Sequence, residues 1–82
     1  MITVRFFAML RNKTGCEFKE YRILKPITVA ELKKMLKADF PALSGMLDSR
    51  SLLISVNLEF AGMDTMIKDG DEVGLLPPFS GG

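Results

Sequence analysis

The residues most suited to take part in a chemical reaction are at the end of the sequence, in the segment Phe79-Ser80-Gly81-Gly82. Because glycine has no Cβ, Gly81 and Gly82 can adopt strained backbone angles and pass through a narrow channel. We expect the α-carboxylate of Gly82 to be the functional group at the tip. A carboxylate resists nucleophilic attack until it carries a better leaving group, such as AMP. Sulfur can then displace AMP, which leaves a thiocarboxylate on a flexible arm.

Two prolines precede this segment and set its direction. Pro77 and Pro78 should hold the base of the tail extended and away from the sheet, because proline fixes φ and cannot donate to a strand ladder. The alternative is that the two glycines form only a frayed terminus. A strand, Pro-Pro and Gly-Gly in succession favour a reactive tail. We therefore predict one domain over residues 1–82, with residues 77–82 as its flexible C-terminal tail.

Composition excludes several classes of function. The 82 residues suffice for one domain, and 48% hydrophobic content is ample for a packed core. The net charge of +1 gives no sign of a nucleic-acid or acidic-membrane partner. The chain has no histidine and a single cysteine, Cys16, so we expect no catalytic side chain, no metal, no intrachain disulfide and an idle thiol. We also expect no membrane span, no signal peptide and a cytoplasmic location.

The N-terminal half predicts a hairpin followed by a helix. Residues 2–11 alternate between apolar and other residues, which is typical of a strand. A turn at residues 12–15 and a second strand at residues 17–24 would complete an antiparallel pair. Thr28 and Glu31 form a capping box, and Pro41 should end the helix near Phe40. The predicted apolar stripe of this helix consists of Val29, Leu32, Leu36 and Phe40.

The C-terminal half predicts three more strands. Residues 41–51 form a connector with a helical turn at 43–47, and residues 52–58 form a nearly continuous apolar strand inside the sheet. A short edge strand is predicted near residues 66–67, a turn at Asp69-Gly70, and the last strand at residues 72–76. This order is typical of an α+β, β-grasp (ubiquitin-like) fold, with a mixed sheet of four to five strands and one main helix packed across it. In that fold the first and last strands are parallel neighbours at the centre.

Two groups of charged residues are predicted to be structural. Lys33, Lys34 and Lys37 fall at helical spacing, which favours a solvated helix face over a phosphate site. Asp69 and the neighbouring acidic residues 71 and 72 surround a predicted turn. We expect Asp69 to serve that turn rather than to do acid–base chemistry.

Three stretches of the chain resemble the small subunit of molybdopterin synthase, a family of MoaD-like sulfur carriers. They are residues 4–11 (VRFFAMLR), residues 68–73 (KDGDEV) and residues 77–82 (PPFSGG). The resemblance covers the whole chain. The tail is its most specific part, since members of the family typically end in Pro-Pro, a variable residue, Ser or Thr, and Gly-Gly.

The resemblance implies a reaction cycle in which the chain supplies no catalytic side chain. A ubiquitin-activating-type enzyme would use ATP to adenylate Gly82, and a sulfur donor would then form the thiocarboxylate. The tail, with Gly81 next to the reacting carboxylate, would enter the large synthase subunit and donate sulfur to the pterin precursor of the molybdenum cofactor. The family's synthase is a heterotetramer of two small and two large subunits. No cofactor would bind to this chain itself.

Partner contacts are predicted along the first and last strands and the tail. Phe7 and Met9 lie on the strand face opposite Phe6, and Leu75 is similarly placed on the last strand; each is either partner interface or core. Arg11 either pairs with a carboxylate of a partner or is solvated. The remaining predicted contacts are in the tail segment, at Pro77, Pro78, Phe79 and Ser80.

The chain departs from the family pattern at two places, which leaves other functions open. Leu75 and Leu76 stand where aromatic residues are common before Pro-Pro, and Leu58 stands where the family often has Gly or Gln after Val-Asn. The alternatives are a sulfur carrier for cysteine or thiamine thiazole synthesis, a ubiquitin-like modifier of lysines, and an interaction module with an inert tail. The Pro-Pro pair disfavours the thiazole carrier.

Overall fold

The computed structural model describes residues 1–49 and 52–77, and predictions that fall on residues 50, 51 and 78–82 lie outside these ranges. The described strands and α-helices, in chain order, are β1 (Ile2–Phe6), α1 (Met9–Thr14), β2 (Phe18–Tyr21), β3 (Ile27–Thr28), α2 (Val29–Asp39), α3 (Ser44–Asp48), β4 (Leu53–Val56), β5 (Glu59–Phe60), β6 (Met66–Ile67) and β7 (Glu72–Leu76). A 3₁₀ turn, Pro41–Leu43, precedes α3. No helix within the described ranges is long and apolar enough to span a membrane.

The main sheet has five strands in the order β2-β1-β7-β4-β5. β1 and β7 are parallel, with Val4 opposite Val73 and Phe6 opposite Leu75. The other three pairings in this sheet are antiparallel. This confirms the predicted mixed sheet, with the first and last strands as parallel neighbours at its centre.

Helix α2 covers one face of this sheet. The capping box forms as predicted: the Glu31 amide donates to Thr28 Oγ1 at 3.1 Å, and the Thr28 amide donates to Glu31 Oε1 at 3.1 Å. The predicted stripe faces the core, and Phe40 packs edge-on against Phe6 with ring centroids 5.3 Å apart. Core residues from α2 and the sheet include Val4, Phe6, Val29, Leu32, Leu36, Val73 and Leu75. The β-grasp prediction is therefore confirmed.

The predicted first strand is wrong beyond Phe6, where the chain turns into α1. Ala8 has a φ of 54°, which takes the backbone out of the sheet. Leu10 is nevertheless buried, because one helical turn brings it back onto the core. Gly15 ends α1 in the left-handed conformation, with its amide donating to the Arg11 carbonyl at 2.8 Å. The hairpin connection is thus a short helix rather than a turn.

The strand predicted over residues 52–58 is shorter than expected. β4 ends at Val56, and Asn57 and Leu58 form a two-residue turn with φ values of 51° and 71°. The chain then adds β5, an edge strand that the sequence reasoning missed. β6 forms where predicted, but it pairs with β3 in a separate two-stranded ladder.

Three smaller predictions can be compared directly. The second strand was expected over residues 17–24 but covers only Phe18–Tyr21. The connector contains the expected helical turn, as α3. The Asp69-Gly70 turn forms with Gly70 at a φ of 92°, a conformation that glycine adopts without steric cost.

The buried carboxylate of Asp71 holds two turns together. Its oxygens accept hydrogen bonds from the Lys68 amide at 2.9 Å and from Asn57 Nδ2 at 3.0 Å. Asn57 Oδ1 in turn accepts from the Glu72 amide at 3.0 Å. The backbone bond from Lys68, followed by the Asn57 side chain, lowers the pKa of Asp71. The β4–β5 turn is thereby tied to the start of β7.

We predict that Asp71 makes the stability of the fold sensitive to acid. A carboxyl group whose pKa is lowered by folding stabilises the native state at pH above its unfolded pKa of about 3.9. That contribution is lost as the pH falls through the lowered value. Asp71→Asn should therefore reduce the free energy of unfolding at pH 7 by about 1–3 kcal/mol, and should flatten its decline below about pH 4. Urea unfolding at a series of pH values measures both, and an equal effect of Asp64→Asn, at an exposed site, would contradict the prediction.

We also predict that Leu58→Gly stabilises the fold. Leu58 is 91% exposed, so its side chain contributes little burial, yet its φ of 71° is unfavourable for a side chain that carries a Cβ. Glycine removes this strain at some cost in unfolded-state entropy. The net gain should be about 0.5–1 kcal/mol in the free energy of unfolding. Leu24→Gly is the matched control, because Leu24 is equally exposed but lacks a positive φ, and it should not stabilise.

Candidate functional site

The base of the tail lies at one edge of the sheet, which we call the tail edge. Because β1 and β7 are parallel, both end at this edge, so that Phe7 and Pro77 follow neighbouring strands. The Phe7 amide donates to the Leu75 carbonyl at 3.2 Å and holds the end of β1 against β7. β4 begins at the same edge, with Leu53 opposite Leu76. The tail edge is defined by Phe7, Leu53, Leu76 and Pro77.

The sheet face opposite α2, which we call the open face, is apolar near the tail edge. Side chains alternate along each strand, so residues on either side of the buried Val73 and Leu75 point away from the helix. Phe7 is 42% exposed, and Phe60 on the edge strand is 76% exposed. The open face comprises Arg5, Phe7, Phe18, Leu53, Ser55, Phe60, Gly74 and Leu76.

Gly74 allows the side chains of the open face to approach the backbone of β7 closely. A Cβ at this position would lie 2.6 Å from Ser55 Oγ and 3.2 Å from Phe7 Cε2. Real Cβ atoms do not make the first contact, so the missing side chain lets the Phe7 ring rest over the strand that leads into the tail. Phe7 is thus held next to the tail edge by packing as well as by its backbone hydrogen bond.

The end of the open face away from the tail is polar. Arg5 Nε pairs with Glu72 Oε1 at 2.9 Å, and the Arg5 guanidinium lies 5.9 Å from the centre of the Phe18 ring. Both partners of the ion pair are about half exposed, so the pair contributes little to stability. It leaves a charged border beside the apolar patch, as is common in protein interfaces.

The predicted partner residues differ in their exposure and in the element on which they lie. Phe7 stays exposed at the tail edge, as an interface residue requires. Met9 and Arg11 are also exposed, but they lie on α1 rather than on the face of a strand. Of the two alternatives predicted for Leu75, core is correct and interface is wrong, because its side chain is fully buried against the helix side of the sheet. Pro77 is half-buried directly after β7.

The predicted tail contacts beyond Pro77 lie outside the described residues. These are Pro78, Phe79, Ser80, Gly81 and Gly82.

The acidic group near the last turn lies at the opposite end of the sheet from the tail. Asp69 pairs with the amino group of Met1, and Glu72 pairs with Arg5. Asp71 is the buried residue that joins the turns. Each carboxylate therefore has a structural partner. The side chain that serves the turn, however, is that of Asp71 rather than the predicted Asp69. Within residues 1–49 and 52–77, no group of three or more potential metal-binding side chains occurs.

Sequence reasoning missed most of the open face, including Phe18, Phe60 and Gly74. Phe18 and Gly74 could have been found from the strands already predicted, by extending the alternation that places Val73 in the core. Phe60 could not, because β5 was not predicted. The signal for β5 is the two-residue turn at Asn57, whose residue type tolerates a positive φ.

The described fold is that of a β-grasp protein, and its tail edge lies beside an apolar sheet face. Comparison with known sequences extends this classification: the sequence model of the ThiS family matches residues 4–82, and the chain belongs to that family. The resemblance to MoaD-like carriers is therefore confirmed.

Two characterised relatives align over nearly their entire lengths. The molybdopterin synthase sulfur carrier subunit of Escherichia coli K12 is 35% identical over 82 residues, which cover 100% of both chains. Small archaeal modifier protein 3 of Haloferax volcanii is 29% identical, and the match covers 99% of this chain and 98% of the relative.

Solved structures give the same fold with different named functions. SAMP1 of Haloferax volcanii has a TM-score of 0.87 at 26% identity and covers 99% of this chain and 98% of its own. CysO of Mycobacterium tuberculosis has a TM-score of 0.79 at 27% identity, with coverages of 96% and 100%. A complex of subunits 1 and 2 of the molybdopterin-converting factor from Helicobacter pylori contains a chain with a TM-score of 0.69 at 28% identity, with coverages of 99% and 97%.

We predict that Gly74→Ala disturbs the open face. The added methyl group would collide with Ser55 Oγ and press on the Phe7 ring, at a cost of about 1–3 kcal/mol in the free energy of unfolding. Gly74→Ala combined with Ser55→Ala should recover part of that loss, because the nearest contact is removed. Denaturant unfolding measures the energies, and the NMR shifts of the Phe7 ring report its displacement. Gly62→Ala, where a Cβ meets nothing within 4 Å, is the control and should be nearly neutral.

Proposed function

We propose that this protein is the sulfur carrier subunit of a molybdopterin synthase. The observation that carries the proposal is the position of Pro77. It follows β7, a central strand of the sheet, and lies at the tail edge beside exposed Phe7. Membership of the ThiS family and the full-length similarity to the Escherichia coli sulfur carrier subunit support it. The reacting group would be the carboxylate of Gly82.

The chemistry would take place in two steps on this carboxylate. A carboxylate oxygen of Gly82 attacks the α-phosphorus of ATP and releases pyrophosphate, which forms an acyl-adenylate. A hydrosulfide equivalent from a sulfur donor then adds to the acyl carbon and expels AMP, which leaves the thiocarboxylate. The thiocarboxylate sulfur would then attack a carbon of the pterin precursor and displace an oxygen substituent. Water would cleave the remaining bond between the sulfur and the Gly82 acyl carbon, which leaves the sulfur on the pterin and restores the carboxylate.

The catalytic groups for these steps would come from partner enzymes. The chain contains no histidine. The carboxylates of Asp69, Asp71 and Glu72 serve ion pairs or a turn at the end of the sheet away from the tail edge. A ubiquitin-activating-type enzyme would bind ATP and adenylate Gly82. The chain would thus act as the non-catalytic, sulfur-donating subunit of the complex.

The open face would be the docking surface for the large synthase subunit. Its apolar patch adjoins the tail edge, so a partner that covers Phe7 would also receive the tail. The Helicobacter pylori complex, in which two subunits of the converting factor associate, supports this kind of pairing. Two small and two large subunits would form the synthase, with Met9 and Arg11 at the margin of each contact.

A second candidate function is the covalent modification of proteins. The Haloferax volcanii relatives named as small archaeal modifiers favour it, since the same acyl-adenylate can be attacked by a lysine amine. The similarity to CysO likewise supports a sulfur carrier that serves a different pathway. These alternatives share the Gly82 adenylate and differ in the nucleophile that follows.

We predict that sulfur transfer depends on the exact end of the tail. Deletion of Gly82, or its extension by one serine, should abolish molybdopterin formation with the large subunit, because the reacting carboxylate is then lost or displaced. Intact mass spectrometry of protein from its own host should show the increase expected when one oxygen is replaced by sulfur. The unfolding midpoints of both variants should match the original, since the change lies beyond β7.

Three results would separate the candidates. Normal molybdopterin formation by the serine-extended protein would contradict the carrier proposal. Isopeptide-linked conjugates to lysines in host extract, without the thiocarboxylate, would favour the modifier. A thiocarboxylate that forms but is not consumed by the large subunit would assign the carrier to another pathway.

A further inference from the structure

A groove lies on the helix side of the molecule, away from the open face. It has a volume of about 500 Å³ and runs between α2 and the segment formed by residues 61–63. Its apolar lining consists of Val29, Ala30, Leu47, Leu52, Ile54, Ala61 and Met63. Three lysines of α2 also line it, so we call it the lysine groove: Lys33, Lys34 and Lys37.

One wall of the lysine groove is held in place by backbone hydrogen bonds. The Val29 amide donates to the Thr65 carbonyl at 3.0 Å, and the Ala30 amide donates to the Met63 carbonyl at 3.1 Å. Thr65 Oγ1 accepts from the Gly62 amide at 3.1 Å and tightens the same segment. The wall is therefore tied to the first turn of α2, and a ligand need not order it, which reduces the entropic cost of binding.

The charge of the lysine groove is positive. Three lysines and one aspartate line it, a local charge of +2 on a chain whose net charge is +1. The aspartate, Asp48, already pairs with Lys37. In the described parts of the chain, Lys33 and Lys34 have no ion-pair partner within 4.0 Å. Among the described residues, the groove thus combines an apolar lining with two lysines that lack an ion-pair partner.

These features select one class of ligand. The first amides of α2 are already used by the 63–65 backbone and by the capping box, so no amide cluster is left to bind a phosphate. A concave apolar floor also offers little to a flat bilayer. We propose that the lysine groove binds an acidic segment of a partner protein, with an apolar side chain of that segment seated against Met63 and carboxylates over Lys33 and Lys34.

Such a partner would leave the reactive end of the protein accessible. α2 lies on one side of the sheet, and the open face lies on the other. A protein held by the lysine groove could therefore stay bound while Phe7 and the tail engage a second protein. Binding at the lysine groove does not depend on the tail chemistry, so the two can be tested separately.

The test uses the full chain and a short synthetic peptide of glutamates around a single leucine. At low ionic strength the peptide should shift the backbone amide NMR signals of α2 and residues 61–63. The double variant Lys33→Gln/Lys34→Gln should weaken its binding about fivefold to tenfold, since two exposed ion pairs are lost. Replacing the peptide leucine with serine should weaken binding as well, and added salt should weaken it further.

The matched control is Lys13→Gln/Lys25→Gln, which removes the same net charge elsewhere and should change the affinity less than about twofold. Equal weakening by both double variants would mean that only overall charge attracts the peptide, and would overturn the proposal. So would shifts confined to the open face, or an absence of binding at low salt. Binding of inorganic phosphate or anionic vesicles at Lys33 and Lys34, without peptide binding, would also overturn it.

Discussion

The parallel pairing of β1 with β7 is the constraint on which the rest of the structure depends. It joins the first and last strands of the fold at the centre of the sheet, so every intervening element must fit around that pair. It also makes both strands end at the same edge. The exposed Phe7 and the start of the tail at Pro77 are neighbours for this reason, although they are separated by most of the sequence. The topology therefore places the start of the tail beside an exposed apolar surface.

The two faces of the sheet have different roles, one in the core and one as an exposed surface. The side covered by α2 provides the core, and its apolar residues leave Leu75 no exposed surface. The open face instead keeps aromatic side chains accessible, and Gly74 lets one of them lie against the strand. Because the lysine groove lies beside α2, on the helix side of the sheet, a contact there and a contact on the open face do not compete for the same surface. A small domain can in this way present two separate surfaces while using one core.

The sequence predicted correctly the elements that have strong local signals. It failed where the same apolar pattern fits both a strand and a helical turn. The capping box at Thr28 and the turn at Gly70 were predictable, because each depends on a residue type with a specific backbone role. Residues 8–11 were not, since Leu10 is apolar both in an alternating strand and in a single helical turn. Only Gly15, as a helix terminator after basic residues, pointed to α1.

The sequence proposes a chemistry for the tail but does not define the surface around it. The tail was evident from residue types alone, whereas the fate of Leu75 depended on which sheet face the helix covers. Alternation sorts the residues of β7 into two faces, but it does not say which face the helix covers. That is known only once the register with β1 and β4 is known. The lysines of α2 were correctly placed on a helix, but the groove beside them requires the 61–63 segment, whose position no local pattern predicts.

The binding of Met1 to the turn before β7 has a practical consequence for labelling. The amino group of Met1 pairs with Asp69, and its carbonyl accepts from the Gly70 amide at 2.9 Å. The N-terminus therefore lies at the start of β7, and the tail begins at its end, about 17 Å away along a five-residue strand. A fluorophore or an affinity handle attached before Met1 would lie at the end of the sheet opposite Pro77, so immobilisation through it would leave the tail edge uncovered.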